Sequence, residues 1–149
     1  MRKFFTLIMC CFIIGACTNN SIYTDFRSLK NTKWDKDSIC VFEVLITDTL
    51  TPRNIYIDIR NNNNYPYKNL WLFSDIQTPS GQIRRDTLNC ELANEFGKWH
   101  GQGISTYELQ IRYESSFIFR QSGIYSFSIR HGMRDEQLNG ISEIGIKIE

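Results

Sequence analysis

Histidine is scarce in this 149-residue chain, with only His100 and His131 present, and that scarcity removes much of enzyme chemistry at once. A zinc centre on these two would need a carboxylate or other third ligand from elsewhere in the fold. Otherwise they read as packing or solvated side chains. No Gly-x-Ser-x-Gly elbow and no phosphate-binding Gly-Lys-Ser/Thr loop occurs. Gly101 and Gly103 run into Ile104-Ser105-Thr106, so no dinucleotide fingerprint forms. The pairs Asp35/Asp37 and Asp135/Glu136 read as solvated loop charges rather than an acid–base couple. No catalytic residue, metal site or cofactor is expected.

A charge excess of either sign is also lacking. The chain has 17 Lys+Arg against 16 Asp+Glu, which offers no basic footprint for nucleic acid. Nor does it contain an apolar run long enough to cross a bilayer, which takes about 20 residues. Its longest such stretch, Phe4 to Ile14, is interrupted by Thr6 and follows Met1-Arg2-Lys3. Two positive charges before a short apolar run make the n-region and h-region of an export signal.

That run ends in Ile14-Gly15-Ala16-Cys17. Small residues at Gly15 and Ala16 admit the backbone to a peptidase cleft. A cysteine directly after them is the lipobox arrangement, because its thiol is alkylated by diacylglycerol before cleavage. Residues 1–16 are therefore expected to leave and Cys17 to carry the lipid. Two or three acyl chains give lasting attachment, at about 0.8 kcal/mol per buried CH₂. Arg2 and Lys3 depart with the leader, so the mature formal charge becomes one negative, with no polybasic segment to read anionic lipid. Residues 17–30 are expected to form a tether and 31–149 one folded domain.

Five cysteines shrink to two once Cys10 and Cys11 are cleaved off and Cys17 is lipidated. Cys40 and Cys90 lie in apolar, strand-like stretches. In an oxidising compartment they could form a disulfide, or each could serve as a small hydrophobe. Sequence leaves both open.

Behind the tether the pattern has period two. Cys40, Phe42, Val44 and Ile46 share a face, as do Ile55, Ile57 and Ile59, then Leu70, Leu72 and Ile76. Tyr107 to Tyr113, Tyr125 to Ile129 and Ile144 to Ile148 alternate likewise. Turn signals separate them at Thr51-Pro52, Asn61 to Asn64, Pro79-Ser80-Gly81, Gly101-Gln102-Gly103, Ser122-Gly123 and Asn139-Gly140. Half-buried strands with such punctuation predict an all-β antiparallel sandwich of immunoglobulin-like or jelly-roll-like type. Only Leu88 to Phe96 offers room for a turn of helix.

Two aromatic stretches are candidates for a partner surface. Tyr65, Tyr67 and Trp71 follow the Asn61 to Asn64 run and either cap a tight loop or present a platform to a protein or glycan. Trp99 sits among glycines and is either an interface anchor or a lid over one end of the sandwich.

A resemblance runs through nearly all of the mature chain. It is carried by Trp34, by Ile59-Arg60-Asn61-Asn62 leading into Tyr65-Pro66-Tyr67-Lys68-Asn69-Leu70, and by Pro79-Ser80-Gly81 and Asp86-Thr87-Leu88. It continues in Gly97-Lys98-Trp99-His100-Gly101-Gln102-Gly103, Gly123-Ile124-Tyr125, Met133-Arg134 and Leu138-Asn139-Gly140-Ile141 with Gly145. In order and spacing these segments resemble the gliding motility lipoprotein GldH family. The resemblance implies a non-enzymatic accessory lipoprotein of a gliding machinery linked to type IX secretion, with envelope proteins as partners. Exterior lipoproteins of such bacteria often carry acidic residues just after the lipidated cysteine. Here none appears before Asp25, which implies an outer-membrane anchor facing the periplasm. A carbohydrate-binding lipoprotein is the alternative. The segments Asp37-Ser38-Ile39, Asp48-Thr49-Leu50 and Asp86-Thr87-Leu88 also resemble the O-glycosylation acceptor of this bacterial group. Ser38, Thr49 and Thr87 are the candidate hydroxyls, with Thr49 expected in a hairpin loop and Thr87 hidden in a strand.

Overall fold

The alternating segments become ten strands. A computed structural model describes residues 20–149, so the expected export signal and Cys17 lie outside the described residues. The strands are β1 (Tyr23–Ser28), β2 (Lys33–Asp35), β3 (Cys40–Ile46), β4 (Arg53–Asn62) and β5 (Asn69–Gln77). They continue with β6 (Ile83–Glu91), β7 (Thr106–Phe117), β8 (Gly123–His131), β9 (Gln137–Asn139) and β10 (Ile141–Ile148). All pairings are antiparallel, giving one sheet ordered β1-β10-β4-β7, a second ordered β3-β8-β5-β6, and a ribbon of β2 with β9.

The two four-stranded sheets face each other across a single core. One contributes Ile55, Ile57 and Ile59 against Ile144, Ile146 and Ile148, all fully buried. The other contributes Phe42 opposite Phe127, Val44 opposite Tyr125, and Leu70 and Leu72. Each such side chain contributes about 1.5–3 kcal/mol on leaving water. Because β4 is central, it is buried on both faces, including Tyr56 and Asp58 on its outer side. Burial raises the Asp58 carboxyl above its ordinary value, although Gln110 Nε2 donates to its Oδ1 at 2.9 Å.

Register defines two ends. β1, β4, β6 and β8 begin at one end, where β3, β5, β7 and β10 finish. This basal end holds the start of the folded chain, the C-terminus, and the connections 47–52, 78–82 and 118–122. The opposite, distal end holds the connections β4–β5, β6–β7 and β8–β9, with the β2–β9 ribbon packing Trp34 and Leu138 into the core.

Three expectations require correction. The folded domain begins earlier than residue 31, because Tyr23–Ser28 pairs along its whole length with β10. Its inward residues include Asp25 and Arg27, which suit an edge strand. Arg27 Nε donates to the Val41 carbonyl at 3.0 Å, and its guanidinium lies 4.7 Å from the centre of the Phe42 ring. This clasp closes one side of the sandwich. On the other side Tyr113 donates to Asp86 at 2.5 Å and Arg84 pairs with Glu114. Leu88 to Phe96 forms no helix: Leu88 to Glu91 complete β6 beside β5, and Asn94 to Gly97 make a turn. The segment around Thr49 is not a hairpin, since β3 and β4 belong to different sheets and the loop arches between them.

Candidate functional site

The distal end gathers the aromatic residues singled out in the sequence, but not as one platform. The Asn run makes a turn: Asn62 Oδ1 accepts the Asn64 N–H at 2.9 Å, and the Asn62 carbonyl accepts the Tyr65 N–H at 3.2 Å. Tyr65 is thereby folded inward. It is buried, donates to the Asn69 carbonyl at 2.7 Å, and has a phenol raised above its ordinary value by burial. The turn packs so closely on Gly140 that a Cβ there would stand 2.2 Å from the Tyr65 nitrogen, at a φ of +87° that also favours glycine. Tyr65 is core, not surface.

Tyr67 and Trp71 remain outside. Tyr67 donates to Asp135 Oδ2 at 2.7 Å. Trp71 points away from the core because its strand neighbours Leu70 and Leu72 point in. Its backbone carbonyl accepts the Gly132 N–H at 2.7 Å and its N–H meets Met133 Sδ at 3.4 Å. Tyr67, Asn69, Trp71, Gly132, Met133 and Arg134 line an open groove of about 440 Å³. Across Met133 and Arg134 it adjoins a second hollow walled by Phe73, Arg130, Lys36 and Asp37. Arg130 lies 5.4 Å from the Phe73 ring centre. Apolar faces bordered by guanidinium groups make a surface suited to hold a partner's side chains.

Trp99 is half-buried and packs on the core. Its ring centre lies 6.4 Å from Tyr65 and 5.9 Å from Tyr107, and Nε1 donates to Asn63 at 3.0 Å. That geometry fits a lid over the distal end.

The histidines are apart in role. His100 is exposed, 3.3 Å from Glu91 Oε1. His131 is buried edge-on to Trp34 at 5.4 Å, and burial lowers its pKa. Among the described residues no group of three or more His, Cys, Asp or Glu is placed to hold a metal ion.

Cys40 and Cys90 are both free and buried. They occupy β3 and β6, the opposite edges of one sheet, so three interstrand spacings of about 4.8 Å separate them. A disulfide needs Cα atoms closer than about 7 Å, and the bridge is ruled out. Burial pushes the two thiols up to about 11 and about 12 respectively.

Of the candidate hydroxyl residues, Ser38 is exposed in the turn before β3, and Thr49 is half-buried. Thr87 is exposed on the outer face of β6, opposite Phe73, and not hidden as its strand position suggested. Phe73, Arg130, Met133 and Arg134 were not foreseen as walls of these hollows; the outward phase that Phe73 shares with Trp71, opposite Leu70 and Leu72, was the signal available.

Comparison with known proteins follows the same span. The family described as GldH lipoprotein matches residues 21–148. The chain is 32% identical to the "Gliding motility lipoprotein GldH homolog" of Christiangramia forsetii, covering 100% of this chain and 98% of that protein. It is 30% identical to the "Gliding motility lipoprotein GldH" of Flavobacterium johnsoniae, covering 96% and 93%. Among solved structures, a chain from "Structure of infectious bursal disease virus Gx strain" aligns over 86% of this chain and 32% of its own, at 14% identity and a TM-score of 0.29. With a family match across the folded domain and two relatives aligned nearly end to end, the chain belongs to the GldH lipoprotein family.

Proposed function

We propose that this protein is a non-enzymatic docking component of a cell-envelope assembly of the gliding-motility kind, linked to type IX secretion. Lipid on Cys17 holds it to the outer membrane, facing the periplasm. The relatives' names support the motility assignment. The observation that carries the docking role is the exposed groove of Tyr67, Trp71, Met133 and Arg134, which lies at the end of the sandwich opposite the start of the folded chain. A lipid-anchored domain with its aromatic groove turned away from its anchor is arranged to receive a partner.

The glycan alternative asked for a platform of Tyr65, Tyr67 and Trp71. Tyr65 is buried and meets Tyr67 at 78°, so these two rings do not offer coplanar faces to a sugar. Protein docking is the reading this favours. It is tested by cross-linked capture from envelopes of the native host, comparing the unaltered protein with Trp71→Ala and Met133→Ala. Loss of the captured envelope proteins, with membrane attachment kept, is the expected result. An unchanged capture profile for both variants would overturn the docking role.

A further inference from the structure

The basal end carries a second surface, and it lies where the anchor must be. The chain is fixed from Ser21 onward: its hydroxyl lies 2.9 Å from the Tyr23 carbonyl and 3.3 Å from the Ile148 carbonyl, its one proton serving one or shared between both, and the Ile22 N–H donates to the Ile148 carbonyl at 2.8 Å. Only Thr18, Asn19 and Asn20 stand between that point and Cys17. Four steps of at most about 3.6 Å each cannot exceed roughly 14 Å. A lipidated Cys17 therefore draws the basal end to within about that distance of the headgroups, where no long linker could hold it off.

Among exposed polar residues such as Thr47, Thr51, Ser80 and Gln82, this end also presents apolar side chains. Leu50, at the tip of the β3–β4 arch, is 84% exposed, and Ile118, just after β7, is 44% exposed. Ile22 is also exposed beside β10, and Leu45 and Ile124 form an exposed cross-strand pair at the foot of β3 and β8. These residues come from three separate stretches of chain, around 22, 45–50 and 118–124, yet share one end of the sandwich. Charges here pair locally, Arg53 with Asp48 at 3.3 Å and Lys147 with Glu149 at 2.7 Å, while Arg120 adds an exposed cation. Apolar side chains with mostly compensated charge match the interfacial zone of a bilayer, where burial of apolar area gives the affinity without anionic lipid.

We propose that the basal end seats directly on the bilayer, with Leu50, Ile118 and Ile22 entering the headgroup region and the distal groove directed away from it. The proposal rests on lipidation of Cys17.

The test uses full-length lipidated protein in phosphatidylcholine vesicles, with and without phosphatidylglycerol. Leu50→Cys, Ile118→Cys and Phe96→Cys are each tagged with an environment-sensitive fluorophore. Phe96 is a fair control, being 86% exposed in the distal β6–β7 connection. Buried Cys40 and Cys90 stay unlabelled. Probes at 50 and 118 should shift to the blue and be quenched several-fold more by brominated lipid than the probe at 96, in both vesicle types. Equal quenching at all three sites, in protein that carries palmitate label and floats with the vesicles, overturns the seating alone. Protection of 50 and 118 only in native envelopes overturns it too, pointing to a protein cover. Absence of palmitate label fails the anchor reading itself, and the seating with it.

Discussion

Trp99 donates its indole N–H to Oδ1 of Asn63 at 3.0 Å, tying the β6–β7 connection to the β4–β5 turn across the distal end. The same ring lies on Tyr65 and Tyr107, so one side chain holds three chain segments together. Complete truncation of a buried Trp costs about 3–5 kcal/mol. For half-buried Trp99, Trp99→Ala should cost about 2 kcal/mol, and Asn63→Ala about 1 kcal/mol through the lost hydrogen bond. Thermal unfolding of both variants measures this; an unchanged midpoint in Trp99→Ala would remove its role as a lid.

Trp71 should behave in the opposite way. It is 40% exposed on the outer face of β5, and surface substitutions away from special features usually stay within about 0.5 kcal/mol. Trp71→Ala should therefore leave the unfolding midpoint nearly unchanged while reducing envelope capture. A large loss of stability would show the ring to be structural.

His131 has a pH signature with a defined sign. Burial holds its ring below the ordinary value of 6.5, with Lys36 acting the same way and Asp135 and Glu136 opposing. In the unfolded chain the ring takes a proton as pH falls through about 6.5, while the folded protein resists it, so stability is lost on acidification from there to the lower folded value. Asp58, raised by burial, acts in the other direction: its contribution is present at low pH and lost as pH rises above the unfolded carboxyl value. Subtracting the profile of His131→Leu cancels such background. Between about pH 7 and pH 5 the unaltered protein should lose up to about 1.4 kcal/mol per pH unit relative to the variant. Parallel profiles would contradict the assignment.

The thiols give a chemical count. With Cys40 and Cys90 buried and both pushed far above neutrality, to about 11 and about 12, thiolate is scarce in the folded protein. A thiol reagent at neutral pH should react slowly until denaturant is added, then titrate both cysteines without prior reduction. A requirement for reductant would mean a disulfide after all.

Glycosylation makes the hydroxyl sites testable by mass. Ser38 and Thr87 are exposed, whereas Thr49 is half-buried near the basal end. A bulky glycan is tolerated only at the surface. Protein from the native host is expected to carry added mass mapping to Ser38 or Thr87 and not to Thr49. Intact and peptide mass measurements equal to lipid plus polypeptide would end this expectation.

Much of the fold was legible because the residues alternate where one face is buried. Cys40 to Ile46 and Tyr125 to Ile129 read directly as the strands they form. β1 escaped notice because its inward face carries Asp25 and Arg27, whose burial is partial and ionic, so hydrophobic period two is broken. The groove was half legible. Trp71 faces outward by alternation, but its walls come from β5, the β4–β5 connection and the segment after β8, which only the folded chain brings together. The sequence alone leaves Tyr65 open between core and surface, because its direction depends on the turn closing against Gly140, a contact between residues far apart in the chain.

The pairing of β1 with β10 has a consequence for export. Tyr23 sits opposite Ile148 and Ser28 opposite Glu143, so on the proposed export route the first strand to emerge has no partner until the last has followed. Closing so long a loop carries an entropic cost that must be met before the contact rewards it, and topologies of this kind fold slowly. The sheet β1-β10-β4-β7 cannot be completed on a chain still in transit. On the proposed export route the sandwich therefore closes only on a chain already delivered.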